Sequence, residues 1–373
     1  MPTIQFNMKK LNKIIFCTTL LAFVMLFAQA QQRPFKQPGL QDTLLLKDYR
    51  PKSIFVVPEN KVLKAKYPAV DMHMHAPRAE SSDAIAKEII KAMNDVGVEK
   101  TIIFCGIGET FSKNAAVYGK YPDRFELWCG LDFTGWEKPG FGPAAIAELE
   151  RCVKLGAKGV GEVHDKGKGL GRGESDRPMH INDPRMDPIL KKMADLGLPF
   201  NFHVGDPKWM YEPMDETNDL LWEAYHFRLD NTDAVGLEDM LLTLEDALKK
   251  HPRLTFITPH FANLTYDLGH LGKLFDKYPN LYADISQREA YVGSIPRFAK
   301  QFMEKYADRL VWGTDQGYSL SMYRNSFRIW ETYDDHFYAW DVSNSPWVLY
   351  GVGLNDATLK KIYRENALKL LKK

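Results

Sequence analysis

The 373 residues carry 49 Lys and Arg against 48 Asp and Glu, and the formal net charge is +1. Hydrophobic residues make up 45% of the chain and charged residues 26%, which is the balance of a folded globular protein rather than of a disordered one. The sequence has no basic stripe, and phosphate binding needs concentrated Lys and Arg, so nucleic acid is not expected as a partner.

The first segment of the chain has the plan of a secretory signal peptide. Three lysines between residues 9 and 13 form a basic head, an apolar run spans Ile14–Ala28, and a small-x-small cleavage site ends at Ala30. The apolar run is shorter than the ~20 residues needed to cross a bilayer, so we expect removal of residues 1–30 and no stable membrane anchor. Losing the three lysines and no acid takes the net charge from +1 to −2. We therefore expect a periplasmic or secreted protein.

Three cysteines remain after the predicted cleavage. Cys105, Cys129 and Cys152 each lie among apolar neighbours, and none belongs to a CxxC pair. Their odd number predicts buried free thiols rather than a disulfide framework, even in an oxidising compartment.

The rest of the chain divides into a lead-in and a long alternating region. Residues 31–65 are rich in Gln, Pro and Lys, which predicts an extended segment, and residues 66–373 alternate between apolar runs and amphipathic helices. The predicted strands are Ala69–His75, Thr101–Cys105, Phe125–Leu131, Gly159–Val163, Phe200–Val204, Thr255–Pro259, Leu281–Ile285 and Leu310–Trp312. The predicted helices are Ser82–Val96, Ala144–Leu155, Ile189–Leu196, Glu238–Lys250, Leu268–Lys277, Pro296–Ala307 and Asp356–Leu371.

This alternation predicts an α/β fold, a single (β/α)8 TIM barrel. Strands separated by helices pair in parallel, and over roughly 300 residues a closed barrel fits better than an open sheet. No glycine-rich phosphate loop follows the first strand, which excludes a dinucleotide-binding sheet. Two long connections, Asp165–Pro184 and Asp206–Gly236, interrupt the rhythm, and we expect them on the face of the barrel that carries the site.

The stretch VDMHMH, residues 70–75, places two imidazoles two positions apart in a predicted strand. Residues i and i+2 of a strand project from the same face, so His73 and His75 could bind one divalent metal. Taken alone, the pair is equally compatible with two ordinary hydrogen-bonded histidines.

Other ionisable residues stand at the ends of the later strands. They are Glu162 and His164 on the fourth strand, His203 on the fifth, His260 on the sixth and Asp315 on the eighth. Each ends an apolar run, where burial without a partner is costly. In a barrel the carboxyl ends of the strands converge on one axis, so these groups together predict a shared metal site.

With DMHMH, GTD ending in Asp315, and the closing YRENALKLL, the sequence resembles the amidohydrolase superfamily, and most closely its amidohydrolase family 2 branch. The resemblance covers about residues 66–373 and implies a metal-dependent barrel enzyme. It implies that His73, His75 and Asp315 bind the metal, and that His203 completes a mononuclear set or holds a second ion.

The remaining two site residues are where members of this branch differ. The resemblance implies that His260 binds a second ion or acts on the substrate. Glu162 could bridge two ions, although the sequence does not decide between one ion and two. Imidazole and carboxylate ligands favour Zn2+, with Mn2+ or Fe2+ as alternatives.

The implied chemistry is hydrolysis of an amide, ester or lactone of a small molecule. A metal with an open position lowers the pKa of bound water from about 15.7 to about 7. Asp315 could accept the proton of that water and pass it to the leaving group.

Two other functions stay open at this point. Members of the same branch that release CO2 from aromatic or enoic acids with a single Zn2+ look alike in sequence, so a non-oxidative decarboxylase is the alternative. A non-catalytic binding protein is the third possibility, and the intact set of ligand candidates speaks against it.

The sequence says less about the substrate and about assembly. Arg288 follows the seventh strand and could pair with a carboxylate or a polar ring substituent, and His164 and Tyr318 are further candidates for substrate contact. Polar loop residues at such positions are common without any ligand. A homo-oligomer is compatible with the sequence.

Overall fold

The computed structural model describes residues 39, 42–77, 81–171, 178–223, 228–340, 342 and 347–371. The predicted signal peptide lies outside these residues, as do residues 172–177 and 224–227 of the two long connections. The chain divides into two compact units, residues 1–50 and 51–373. The described part of the first unit contains one turn of 3-10 helix, Leu46–Asp48. Within the described ranges, no helix combines the length and the apolar character that a membrane span requires.

The second unit is built on eight strands that are hydrogen-bonded in chain order. Every neighbouring pair is parallel. The strands are β1 Ala69–Asp71, β2 Val98–Phe104, β3 Phe125–Cys129, β4 Gly159–Asp165, β5 Phe200–Val204, β6 Phe256–Thr258, β7 Leu281–Asp284 and β8 Leu310–Val311.

The sheet curls so that its first and last strands come together. The backbone N–H of Met72 donates to Trp312 O at 2.9 Å, and that of Asp315 donates to His73 O at 2.8 Å. These bonds follow directly after β1 and β8, so the residues beyond both strands lie side by side. Eight parallel strands with this curl are consistent with the predicted TIM barrel.

Helices follow the strands and cover the outer face of the sheet. The first begins at its N-cap Ser82, whose hydroxyl accepts from Ile85 N–H, and ends at Gly97, whose φ of 83° suits glycine. The helices are α1 Asp83–Val96, α2 Gly108–Tyr118, α3 Phe141–Lys154, α4 Asp187–Asp195, α5 Leu237–Lys250, α6 Leu268–Lys277, α7 Glu289–Val292, α8 Pro296–Lys305, α9 Leu320–Glu331, α10 Asp356–Lys360 and α11 Asn366–Leu371.

The core has two parts, one on each face of the sheet. The larger cluster lies between the strands and the helices. The smaller cluster joins alternate residues of six strands to Ala367 and Leu370 of α11. Its largest member is Trp128, which is fully buried, and full burial of a large apolar side chain contributes about 1.5–3 kcal/mol. The inner cluster therefore fills the barrel beneath the strand ends.

The structure corrects several predicted bounds. The first strand ends at Asp71 rather than at His75, because the Asp71 carboxylate accepts the backbone N–H of His73. The predicted helix Asp356–Leu371 contains a π-helical segment, Lys361–Glu365. There the carbonyl of Ile362 accepts from Trp312 N–H instead of serving only the helix. Helices α2, α7 and α9 were not predicted. The three cysteines are buried and free, as predicted.

Candidate metal centre

The two histidines of the HxH motif lie just beyond β1 and are fixed by contacts with β8. Asp71 Oδ1 accepts from the backbone N–H groups of His73 and Thr314, both at 3.0 Å. A Cβ on Gly313 would lie 2.7 Å from that of His73, so only glycine permits this approach. His73 is fully buried, whereas half of the His75 side chain is exposed. One imidazole is thus deep in the centre and the other stands at its mouth.

Asp315 faces these histidines from the end of β8. Its Oδ1 lies 3.3 Å from His73 Nε2 and 3.2 Å from His75 Nε2, and its Oδ2 lies 3.6 Å from His260 Nε2. Burial alone would raise the pKa of Asp315, but the charge of His73 and the histidine hydrogen bonds hold it well below its ordinary value. Gln287 Nε2 donates to Oδ2 at 2.8 Å and fixes the carboxylate plane.

Glu162 lies between two groups of histidines and touches both. Its Oε2 is 3.2 Å from His75 Nε2 and 3.8 Å from His73 Nε2. Its Oε1 is 2.7 Å from His203 Nδ1 and 3.9 Å from His260 Nε2. Each group, with Glu162 as the shared member, has its ligand atoms within 4.8 Å of one another. One carboxylate therefore presents one oxygen to each pair of imidazoles.

The pairing between β4 and β5 is irregular around Glu162. The register shifts between Val160 and Val163, so the simple alternation expected for this strand does not hold there. The pKa of Glu162 is well below its ordinary value. Burial alone would raise this pKa, but the charge of His73 and the hydrogen bonds from His203 and His75 outweigh burial and lower it.

Hydrogen bonds on the far side of His73, His260 and His203 fix the orientation of these three rings. His73 Nδ1 lies 2.9 Å from Asp284 Oδ2, and His260 Nδ1 lies 2.9 Å from the carbonyl oxygen of Ser286. Since these partners accept, both rings carry the proton on Nδ1 and turn Nε2 toward the centre. Asn263 holds the far nitrogen of His203 at 3.3 Å.

The donor set fits a divalent transition metal. The buried Nε2 of His73 has no hydrogen-bond partner, although it points at the carboxylates. Burial, with the positive charges of Arg288 and His203, lowers the pKa of His260 to about 3, so this one imidazole is neutral. Burial would also lower the pKa values of His73, His75 and His203, but the adjacent carboxylates raise them, so a metal at these rings would take the place of protons. Neutral imidazole and ionised carboxylate are the ligands that Zn2+, Mn2+ and Fe2+ prefer.

Two segments that carry site residues have left-handed backbone. Residues 260–263 are all in this region, with φ of 61° at His260 and 56° at Asn263, and Asp315 has φ of 55°. Such conformations cost about 1–3 kcal/mol each outside glycine and occur at functional sites. Here they aim His260, Asn263 and Asp315 at the same small volume.

The structure brings all six predicted metal ligands together. Sequence reasoning missed the residues that orient them, which are Asp71, Asp284, Ser286, Asn263 and Gln287. The signal was present for Asp284, because DISQ follows an apolar run in the same way as the other strand ends.

The three predicted substrate residues have different surroundings. His164 lines a cavity of about 450 Å³ together with Glu162 and Trp136. Arg288 is buried beside a smaller cavity of about 200 Å³. Tyr318 is half-buried and packs on the outer core, and it lines neither of these two cavities.

The family model Amidohydro_2, described as Amidohydrolase, matches residues 70–373. The chain belongs to the amidohydrolase family. It is accordingly an enzyme of this superfamily, as the sequence predicted. The comparison with curated proteins gives no significant match.

Three solved structures with the same fold are decarboxylases. A 2,6-dihydroxybenzoate decarboxylase with bound 2,6-dihydroxybenzoate is 18% identical, with a TM-score of 0.50 over 82% of this chain and 100% of that chain. The dihydroxybenzoic acid decarboxylase of Polaromonas sp. JS666, with manganese and 2-nitroresorcinol, is 17% identical, with a TM-score of 0.50 over 82% and 97%. The 5-carboxyvanillate decarboxylase of Novosphingobium aromaticivorans DSM 12444, with manganese and 4-hydroxy-3-methoxy-5-nitrobenzoic acid, is 16% identical, with a TM-score of 0.50 over 85% and 100%.

At these identities the likeness establishes the fold alone. Manganese in two of the relatives, together with the His and Glu cluster of this chain, supports the predicted divalent metal, while the choice of Zn2+ stays a prediction.

Proposed function

We propose that this amidohydrolase cleaves an amide, ester or lactone bond of a small molecule by hydrolysis, with two divalent ions. The observation that carries the proposal is the position of Glu162, whose two oxygens face two separate histidine pairs. A single carboxylate in that position has the geometry of a bridging ligand. With one ion, only one of the two Glu162 oxygens would have a metal to bind.

The residues divide naturally between two ions. His73, His75 and Asp315 would hold one, and His203 and His260 would hold the other, with Glu162 between them. Bound there, the ions would supply Lewis acidity and acidify a water molecule in contact with them.

The chain's own contribution to catalysis centres on Asp315. One of its oxygens faces the histidines and the other is fixed by Gln287. It can accept a proton from the attacking water and return it to the leaving group. Its low pKa keeps it ionised at neutral pH, as this role requires.

The charge of the centre also supports two ions. Glu162, Asp315 and Asp284 are buried carboxylates with lowered pKa values, and all three contact His73. One divalent ion leaves this group of acids with excess negative charge, and the carboxylate of an acid substrate would add to it. Two ions reverse the balance and leave the centre with a net positive charge.

The cavity beside Glu162 would hold the apolar part of the substrate. It has a volume of about 450 Å³, within the range of small-molecule sites. Its wall is mostly apolar and aromatic, with Phe133 and Trp136 on one side and His164 next to Glu162. An aromatic or alicyclic ring fits this lining.

Decarboxylation of an aromatic acid is the second candidate, and the comparisons favour it. The same aromatic cavity would hold the ring of the acid. Asp315 could relay a proton from a water molecule to the ring carbon as CO2 leaves, which replaces the broken C–C bond by a C–H bond. In this case one ion would suffice, and Glu162 would have no bridging role.

The count of bound ions and the nature of the products separate the two reactions. The protein is loaded with Zn2+ or Mn2+ and its metal content is measured, and then lactones, esters, amides and hydroxybenzoates are assayed for hydrolysis and for CO2 release. Hydrolysis predicts about two ions per chain. Glu162→Gln should reduce this to about one and abolish turnover, whereas Glu126→Gln, a control on β3 outside the centre, should change neither. CO2 release with one ion, unaffected by Glu162→Gln, would overturn the proposal in favour of the decarboxylase.

We also propose that the enzyme is exported after removal of residues 1–30. The support is the basic head and the apolar run that precede Ala30. Mass spectrometry of the protein from an expressing bacterial culture should find a chain that starts at Gln31. A chain that keeps residues 1–30 and stays in the cytoplasm would contradict export.

A further inference from the structure

Arg288 is a buried cation without a carboxylate partner among the described residues. Only 7% of the residue is exposed. Its Nη1 donates to the carbonyl oxygen of Gln287 at 2.9 Å, and its Nη2 donates to Asn263 Oδ1 at 2.5 Å. Its Nε has no partner. A guanidinium has more N–H donors than these two neutral acceptors use.

The acids that line the same cavity, Glu289 and Glu223, form no ion pair with Arg288 in the described part of the chain. Glu289 instead accepts from Ser326 Oγ at 2.8 Å, and burial raises the pKa of Glu289 to about 7. A buried charge without an opposite charge is unfavourable, so the site is suited to an anion that arrives from outside.

The cavity that Arg288 lines is small and mostly polar. Its volume is about 200 Å³, enough for a carboxylate with a few attached atoms. Amide and hydroxyl side chains complete the lining, from Gln287, Gln316, Asn325 and Ser326. The ring of Tyr291 lies under the guanidinium, 5.3 Å from its centre, and restrains its plane.

Arg288 is connected to the candidate metal centre by two hydrogen-bonded neighbours. Gln287 donates to Asp315 Oδ2 at 2.8 Å, and Asn263 donates to His203 Nε2 at 3.3 Å. A group bound on Arg288 is therefore next to the carboxylate that would move protons. It is also separate from the 450 Å³ cavity, with which the Arg288 cavity shares no lining residue.

We propose that Arg288 and its cavity form a carboxylate subsite. The substrate would be an amide, ester or lactone that carries a carboxylate away from the bond that is cleaved. The planar guanidinium would bind both carboxylate oxygens, a geometry that lysine cannot reproduce. This inference rests on the proposed function for the reaction, but the binding of a carboxylate can be measured without turnover.

Calorimetric titration of the metal-loaded protein with benzoate, and with benzamide as its neutral counterpart, tests the subsite. The wild type should bind benzoate at least ~10-fold more tightly than benzamide, which corresponds to about 1.4 kcal/mol. Arg288→Gln should remove this preference, and Arg288→Lys should keep only part of it. Arg253→Gln, which changes an exposed arginine paired with Asp195, is the matched control and should bind as the wild type does.

Equal preference for benzoate in the wild type and in Arg288→Gln would overturn the subsite, because the carboxylate would then bind elsewhere, for example at the metal. Circular dichroism shows whether each variant folds, and Arg288→Lys keeps the test valid if the glutamine variant does not. If the proposed function is wrong but the subsite is right, benzoate binding will depend on Arg288 while no lactone, ester or amide is hydrolysed. Hydrolysis without benzoate preference would keep the function and reject the subsite.

Discussion

Two glutamates with lowered pKa values have opposite surroundings in this molecule. Glu162 shares its oxygens among imidazoles at the strand ends, while Glu148 on α3 pairs with Arg151 at 2.7 Å. Hydrogen bonding to Arg151 lowers the pKa of Glu148 to about 2. The partner of Glu148 is a permanent cation, so its charge is already balanced. The partners of Glu162 can be neutral, and they then leave the carboxylate to a metal.

The comparison distinguishes a structural ion pair from a ligand set. Glu148 also accepts from the backbone N–H of Gly108 at 2.8 Å, and Arg151 donates to Gly108 O, so the pair connects α3 to the start of α2. Neither Glu148 nor Arg151 lines the 200 Å³ cavity or the 450 Å³ cavity. Among the described residues, the carboxylate oxygens of Glu162 face the imidazoles of four histidines at the strand ends.

The largest expected effect concerns the ligands themselves. His73→Ala should lower turnover by more than ~10²-fold and reduce the bound metal, because it removes a fully buried ligand atom, whereas the loss of a residue behind a ligand typically costs ~10–100-fold. The measurement is of kcat and metal content in His73→Ala and in Arg151→Met. Arg151→Met should keep the kcat and the metal content of the wild type, because the Glu148–Arg151 pair lies outside the metal centre. Full activity of His73→Ala would contradict the assignment of the centre.

The next effect concerns the residues behind the ligands. Asp284→Asn removes the charge that orients His73 and should weaken metal binding by about 10–100-fold. Competition with a chelator measures the affinity, and circular dichroism checks the fold. An unchanged affinity would mean that packing alone holds the ring of His73.

The sequence predicted the barrel because periodicity and strand order are local signals. It placed His73, His203 and Asp315 at one end of the fold, since the ends of parallel strands converge. It could not give the ending of β1 at Asp71, because the competing hydrogen bond comes from a carboxylate whose other partner, Thr314, is more than two hundred residues away. Contacts of this kind depend on closure of the sheet.

The residues that orient the ligands could not be predicted either, because their positions depend on the backbone conformation. Asn263 and Gln287 reach the centre only because their backbones are left-handed, with φ of 56° and 52°. No sequence pattern predicts that conformation for Asn or Gln in a loop. Arg288 was recognisable as a candidate from its place after β7, but only the structure showed that no carboxylate among the described residues pairs with it.

A smaller effect is expected on stability at the α2–α3 connection. Arg151→Met removes the hydrogen bonds to Glu148 and to Gly108 O and should lower the free energy of unfolding by about 1–2 kcal/mol. Urea unfolding at neutral pH measures this loss, and turnover should be unchanged. Loss of turnover at full stability would assign this region a part in function.

The smallest expected effect is the pH dependence of the stability that Arg151→Met loses. The pKa of Glu148 is about 2 in the folded chain against an ordinary value of 4.5, because Arg151 favours the ionised form. A lowered pKa stabilises the fold fully above the ordinary value, and the stabilisation disappears as the pH falls through 4.5 toward 2. The difference between wild type and Arg151→Met should therefore be constant from pH 7 to about 5.5 and shrink below about 4. The partial exposure of the pair limits the change to about 1 kcal/mol. Unfolding curves of both proteins at each pH give the difference directly, and a difference that grows on acidification would mean that Arg151 stabilises the fold through something other than Glu148.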